Sequence, residues 1–239
     1  MRKLILTTSF LVALFLGSNL FAQVHVGVKG SFNLVNMNFK VRDDKLEDFK
    51  IKPAFNAGLF AEFSIADEFY LRPELLFSAK GTTYKKTEDI PLVGGEVKDV
   101  TKTSLKYIEL PVYFLYKGDL GSGNVLVGAG PYFAFGLGGK VKEEITTSGA
   151  PIGNGTVTDE WDVKFKGNVE DDDPIDAEYY KPLDIGFSIM AGYEFSSKLS
   201  ANIFAQLGLT NLVPKYDGTK PDASAKNVGF GLSLGYRIF

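Results

Sequence analysis

The chain is 239 residues long and carries 26 basic and 29 acidic residues, one histidine and no cysteine. The missing cysteines exclude disulfides, a thiol nucleophile, Cys-ligated zinc and a lipidated N-terminal Cys, and a lone His excludes a multi-His metal site. A net charge of −3 gives no reason to expect a nucleic-acid partner, while 26 Gly, 20 Phe and 11 Tyr mark an unusual composition.

Residues 1–22 have the pattern of an export signal. Arg2 and Lys3 precede the apolar run Leu4 to Leu16, which is shorter than the roughly 20 residues of a spanning helix. Gly17, Ser18 and Asn19 follow, and cleavage is expected after Ala22 although Leu20 is large for its position. The mature chain, residues 23–239, then has 24 basic and 29 acidic residues, a net charge of −5.

From residue 24 onward the dominant signal is period two. The segments 24–34, 54–64, 69–80, 107–117, 125–138, 183–195, 199–210 and 227–238 alternate apolar residues with polar residues or glycine. In 183–195, Leu183, Ile185, Phe187, Ile189, Ala191, Tyr193 and Phe195 oppose Asp184, Gly186, Ser188, Met190, Gly192 and Glu194. Successive strand side chains point to opposite faces, so each segment has one greasy and one polar face. Eight such strands are expected.

Their connections alternate in length. Ile65 to Glu68, Gly118 to Asn124 and Ser196 to Lys198 are short, whereas about residues 35–53, 81–104, 139–182 and 211–226 are long. An even number of antiparallel strands with short turns at one end and long loops at the other is the outer-membrane pattern. The expected fold is therefore an all-β, eight-stranded antiparallel up-and-down transmembrane β-barrel occupying residues 23–239.

Aromatic placement gives an independent indication. On the apolar face, Phe63, Phe69, Tyr116, Tyr193, Phe195 and Tyr236 fall near the short turns and form the expected periplasmic-side girdle. Phe32, Phe55, Phe77, Phe135, Phe187 and Phe230 fall toward the long loops. Two aromatic rings flanking an aliphatic band match two bilayer interfaces. The other face carries Lys29, Glu62, Arg72, Glu74, Glu109, Glu194 and Arg237, together with His25, Lys80 and Asp184. An eight-stranded barrel is narrow enough to be filled by its own side chains, so these groups are expected to pair inside it as a plug.

Chemical motifs do not survive this frame. Gly231-Leu232-Ser233-Leu234-Gly235 fits G-x-S-x-G, but that chemistry needs a strand-to-helix turn and a nearby base, and here it is plain alternation. Ser31 shares a face with His25 but lies about 20 Å along the strand. The acidic stretch Glu170, Asp171, Asp172, Asp173, Asp176 and Glu178 lacks the spacing of a calcium loop and is expected to be a solvated loop. Residues 156–166 alternate again and are expected to pair with the stretch after Lys140, with Trp161 covering its own hairpin. Pro73, Pro111 and Pro131 fall in three consecutive strands and predict a shared bulge or ladder break. Strict alternation would turn Phe239 inward, unless it protrudes beyond the sheet.

Tyr107-Ile108-Glu109-Leu110-Pro111, Gly128-Ala129-Gly130-Pro131-Tyr132, Arg72-Pro73-Glu74-Leu75 and Asp184-Ile185-Gly186 resemble the PorT-like outer-membrane β-barrel proteins of Bacteroidetes. The resemblance covers the whole mature chain and implies an exported barrel and, in the named member, a part in type IX secretion. It implies no catalytic residues and no cofactor. The expected function is thus a non-enzymatic outer-membrane barrel, structural or partner-binding, in contact with outer-membrane lipids and with envelope or secretion proteins. The alternatives are a lipid-modifying barrel enzyme, for which the only His lies at the wrong end, and a carrier of a small apolar ligand, which would require a lateral opening whose only sign is the three prolines.

Overall fold

The computed structural model describes residues 24–42, 44–45, 48–90, 95–149 and 153–239. The proposed signal peptide, residues 1–22, lies outside the described residues. Eight strands form the barrel: β1 (Val24–Val41), β2 (Lys52–Ala66), β3 (Phe69–Ile90), β4 (Gly95–Leu120), β5 (Gly123–Ser148), β6 (Leu183–Glu194), β7 (Leu199–Gly208) and β8 (Ala223–Arg237). Each pairs antiparallel with the next, and β8 pairs with β1 from Gly27 opposite Arg237 to Val41 opposite Ala223. The ring is closed, so within it every strand has two neighbours.

The face alternation follows the side chains. Phe55, Leu59, Leu75, Phe135, Ile203 and Leu232 are exposed on the outside, whereas Glu62, Arg72, Glu74, Glu109 and Asp184 are buried. In water such an arrangement would expose a large apolar band, but lipid tails make the outward greasy face favourable. Tight turns link strands at one end, where Glu68, Gly121 and Lys198 adopt positive φ.

Several strands run far beyond the alternating segments. Residues 35–41, 81–90, 95–104 and 139–148, expected as loop, are strand. The 81–104 connection is a continuous hairpin on both sides of residues 91–94, from Gly81 opposite Ser104 to Ile90 opposite Gly95. Outside the bilayer both faces of a ribbon meet water, so period two fades. What persists is strand propensity, carried by Thr82, Thr83, Thr87, Thr101 and Thr103. The segment Gly155–Phe165 pairs antiparallel with β5, Val141 opposite Trp161, extending the sheet to a fourth strand. At 26 residues, β4 is roughly 85 Å long, several times the apolar band it crosses.

The prolines interrupt pairing without moving the register. Between β3 and β4 the ladder lapses from Pro73–Val112 to Leu76–Glu109, and between β4 and β5 from Pro111–Tyr132 to Phe114–Ala129, with the offset unchanged. Proline removes the donor but leaves strand spacing intact. Beside one lapse the Val112 carbonyl lies where a Cβ on residue 130 would stand, 1.9 Å from it, so only glycine fits at Gly130. The bulges fall elsewhere, at Ser64/Ala66 and Lys106/Tyr107. Phe239 extends past the last strand, 74% exposed.

The long-loop mouth is closed by a cap. Ala177–Tyr180 pairs parallel with Asp162–Phe165, the Lys181 amide donates to the Leu212 carbonyl, and the Leu212 amide donates to that of Ala225. Tyr180, Leu212 and Val163 pack with Met37, Leu105 and Tyr107 in a buried apolar cluster, with Trp161 and Phe165 against it.

Candidate functional site

The inner wall brings charged side chains from six strands into two groups. Near the short turns, Glu62 of β2 pairs with Arg72 of β3 at 3.2 Å and with Lys117 of β4 at 3.4 Å. Lys117 also reaches Glu194 of β6 at 2.9 Å, and Glu194 meets Arg237 of β8 at 2.9 Å. Arg72 turns its Nε toward Glu74 at 3.0 Å, and Glu74 accepts from Lys29 of β1 at 2.7 Å. Six of the residues expected in the polar interior thus stand in one continuous chain: Lys29, Glu74, Arg72, Glu62, Glu194 and Arg237. Glu109 is not in it. It stands higher, where Lys80 bridges Glu109 and Asp184 at 3.0 Å each, the Tyr132 hydroxyl donates to Asp184 at 3.3 Å, and Gln206 donates to Glu109 at 2.6 Å.

Lys117 was not foreseen as the link between Glu62 and Glu194. Its parity with Glu109 on β4 was the available signal. The interior is also less polar than the alternation implies. Leu115, Leu126, Met190 and Phe204 line a contiguous arc of β4 to β7, and the Arg72 guanidinium carbon lies over the Phe60 ring, 3.9 Å from its centre. Lys80 lies 3.9 Å from the Tyr132 ring centre. These aromatic faces supply attraction where water is absent. A cavity of about 10 Å³ beside Lys80, Asn56 and Asn227 has room for about one water molecule.

The six girdle aromatics sit outside, around the short-turn end. Phe69 and Tyr116 contact at 5.5 Å and Tyr193 and Phe195 at 5.1 Å between ring centres, and the Tyr193 hydroxyl donates to the Leu120 carbonyl at 2.7 Å. Phe63 and Tyr236 stand apart on β2 and β8, both exposed.

At the opposite end the chemistry is that of a solvated surface. Glu170, Asp172 and Asp173 place carboxylates within 4.8 Å of one another, but Lys166 already reaches Asp173 at 2.6 Å. The lysine hydrogen bond holds the Asp173 carboxyl below its usual range. Asp217 is pushed up by the neighbouring Asp171 charge, and burial raises Glu178. His25, the lone histidine, lies at the short-turn mouth, 4.0 Å from Glu62.

The model of the outer membrane protein beta-barrel domain family matches residues 21–213. The chain belongs to that family. Among solved structures it is similar to OprG of Pseudomonas aeruginosa, at 12% identity, TM-score 0.36, covering 90% of this chain and 95% of that one. Ail of Yersinia pestis, solved with the heparin analogue sucrose octasulfate, matches at 11% identity, TM-score 0.35, over 90% and 99%. Neisserial surface protein A matches at 9% identity, TM-score 0.33, over 88% and 97%. No curated protein matches the chain. Family membership places this all-β barrel among outer-membrane proteins.

Proposed function

We propose that the protein is a non-enzymatic outer-membrane barrel whose task is to carry a partner-binding sheet outside the cell. Residues 1–22 are removed on export, the short turns face the periplasm, and the girdle of Phe63, Phe69, Tyr116, Tyr193, Phe195 and Tyr236 marks the inner interface with lipid. The observation that carries this reading is the filled interior: five cations and five anions paired in the lumen beneath an apolar cap. A lumen so occupied favours a plug over a channel, and most of the fold's remaining investment is in strands that outrun the membrane.

An accessory part in protein secretion, alongside other envelope proteins, is the finer proposal and rests on the PorT-like resemblance. Isolated outer membranes run with and without boiling should show a mobility shift, and the purified protein should give no ohmic current in planar bilayers. Identical migration from a soluble fraction would overturn the reading. Recovery of secretion subunits with the affinity-purified protein would support the accessory role, and their absence under mild detergent would count against it.

A further inference from the structure

The protruding sheet is four strands wide and ends in two uncovered edges. On one side Lys50 pairs with Thr83, Phe49 with Tyr84, and the Asp48 carbonyl accepts the Lys85 amide. Above that point, among the described residues, nothing pairs with the outer edge of Lys86–Ile90. On the other side Ala177–Tyr180 covers Asp162–Phe165, and above it, among the described residues, nothing pairs with the outer edge of Gly155–Trp161. Exposed edges of this kind are templates for further strand pairing.

We propose that the two edges pair with each other between neighbouring copies of this chain, joining barrels side by side through a continuous external sheet. The inference rests on the orientation assumed above, with this sheet outside the cell. The membrane limits the choices, because all copies stand the same way up. β3 runs away from the short turns, whereas Gly155–Phe165 runs back toward them. Side by side, these unlike edges meet antiparallel. Two like edges would meet parallel and bring Asp159 and Glu160, or Lys85 and Lys86, beside their own twins.

One antiparallel register suits the side chains. The Lys85 amide and the Lys166 amide both point outward, to Asp48 and Tyr180 respectively, so alternate residues Thr87 and Asp89 on one edge and Thr156 and Thr158 on the other present their free backbone groups. Placing Thr87 opposite Thr158 satisfies these groups. It also sets Lys86 against Asp159 and Glu88 against Val157, both above the point where Asp48 holds Lys85. Lys86 now pairs with Glu88 at 2.5 Å, but that pair is exposed, and such pairs exchange partners at little cost.

The absence of native cysteine makes disulfide trapping clean. Glu88→Cys and Val157→Cys would face each other across a non-hydrogen-bonded pair, within disulfide range. Within one chain they are three strand spacings apart, about 14 Å, and out of reach. Cells expressing both single variants should yield an oxidised dimer, and the double variant a ladder of higher species. Adding Lys86→Glu to the Glu88→Cys chain should cut dimer yield about fivefold, and Asp159→Lys in the Val157→Cys chain should restore it. A dimer from Val157→Cys alone, or none from the mixture, overturns the inference. Labelling of the new cysteines on intact cells by a membrane-impermeant maleimide separates the two readings. Labelling without crosslinking overturns only the pairing, whereas labelling only after permeabilisation overturns the external orientation and the pairing with it.

Discussion

The half of the barrel near the short turns and the sheet and cap at its other end are built from the same strands under different solvents. Below, apolar side chains face out and the interior is held by ion pairs such as Arg72 with Glu62 and Glu74. Above, the same inner surface continues into Leu105, Tyr107, Val163, Tyr180 and Leu212, a conventional apolar core under a water-facing exterior. The inner lining changes from ionic to greasy at about the level where the outer surface changes from greasy to polar. The lesson is that a strand's face is not assigned once: its polarity follows the medium on each side, and β4 changes its pattern along its length.

This contrast predicts different responses to truncation. Arg72 is buried and bridges two carboxylates, so Arg72→Met takes one cation partner from each of Glu62 and Glu74. Removing one partner of a buried ion pair costs about 3–5 kcal/mol, and here Lys117 and Lys29 are left as the partners of Glu62 and Glu74. Refolding into lipid vesicles followed by urea titration should show a loss of that size. A midpoint equal to that of the native chain would mean that water, not protein, neutralises the lumen.

Leu212→Ala tests the other half. Leu212 is fully buried beneath the loops, and emptying such a site costs about 2–5 kcal/mol. That loss should fall on the cap, because Leu212 lies outside the closed ring. The heat-dependent mobility shift should persist while trypsin cleaves faster at Lys166, Lys181 and Lys215 in the loops. Loss of the mobility shift would show that cap and barrel fold as one unit.

How much of this was legible in the sequence differs between the two regions for the same reason. Where lipid meets one face and a polar lumen the other, Leu183 to Phe195 alternates with Met190 as its one apolar residue on the polar face, and its strand is readable from the pattern. Past Lys80 that contrast of media is gone, so the strand through Thr82, Thr83, Lys85 and Lys86 reads as loop. Lys117 lay in plain alternation, but nothing in one strand's pattern says which charges on other strands will meet it. The apolar arc of Leu115, Leu126 and Phe204 was equally visible as residues on the polar face, and only barrel closure brings those residues together.

The smallest effect, and the finest comparison, concerns pH. Burial raises the Glu178 carboxyl above its ordinary range while it lies in the segment paired to Asp162–Phe165. When that segment undocks, the carboxyl returns to about 4.3. The docked state therefore holds its proton more tightly, and docking weakens as pH rises from that value through the raised one. Asp173 behaves oppositely. Its hydrogen bond to Lys166 lowers its pKa, so its contribution is complete above the ordinary carboxylate range and fades only as pH falls through the lowered value. The two windows do not overlap. Amide exchange at Ala177–Tyr180, corrected for its intrinsic pH dependence, should slow as pH drops from neutrality toward about 4.3. Glu178→Gln should make it flat over that span, with the amides of β3 unaffected in both proteins. A slope that survives the substitution would assign the dependence to another group and remove Glu178 as the reason the cap loosens.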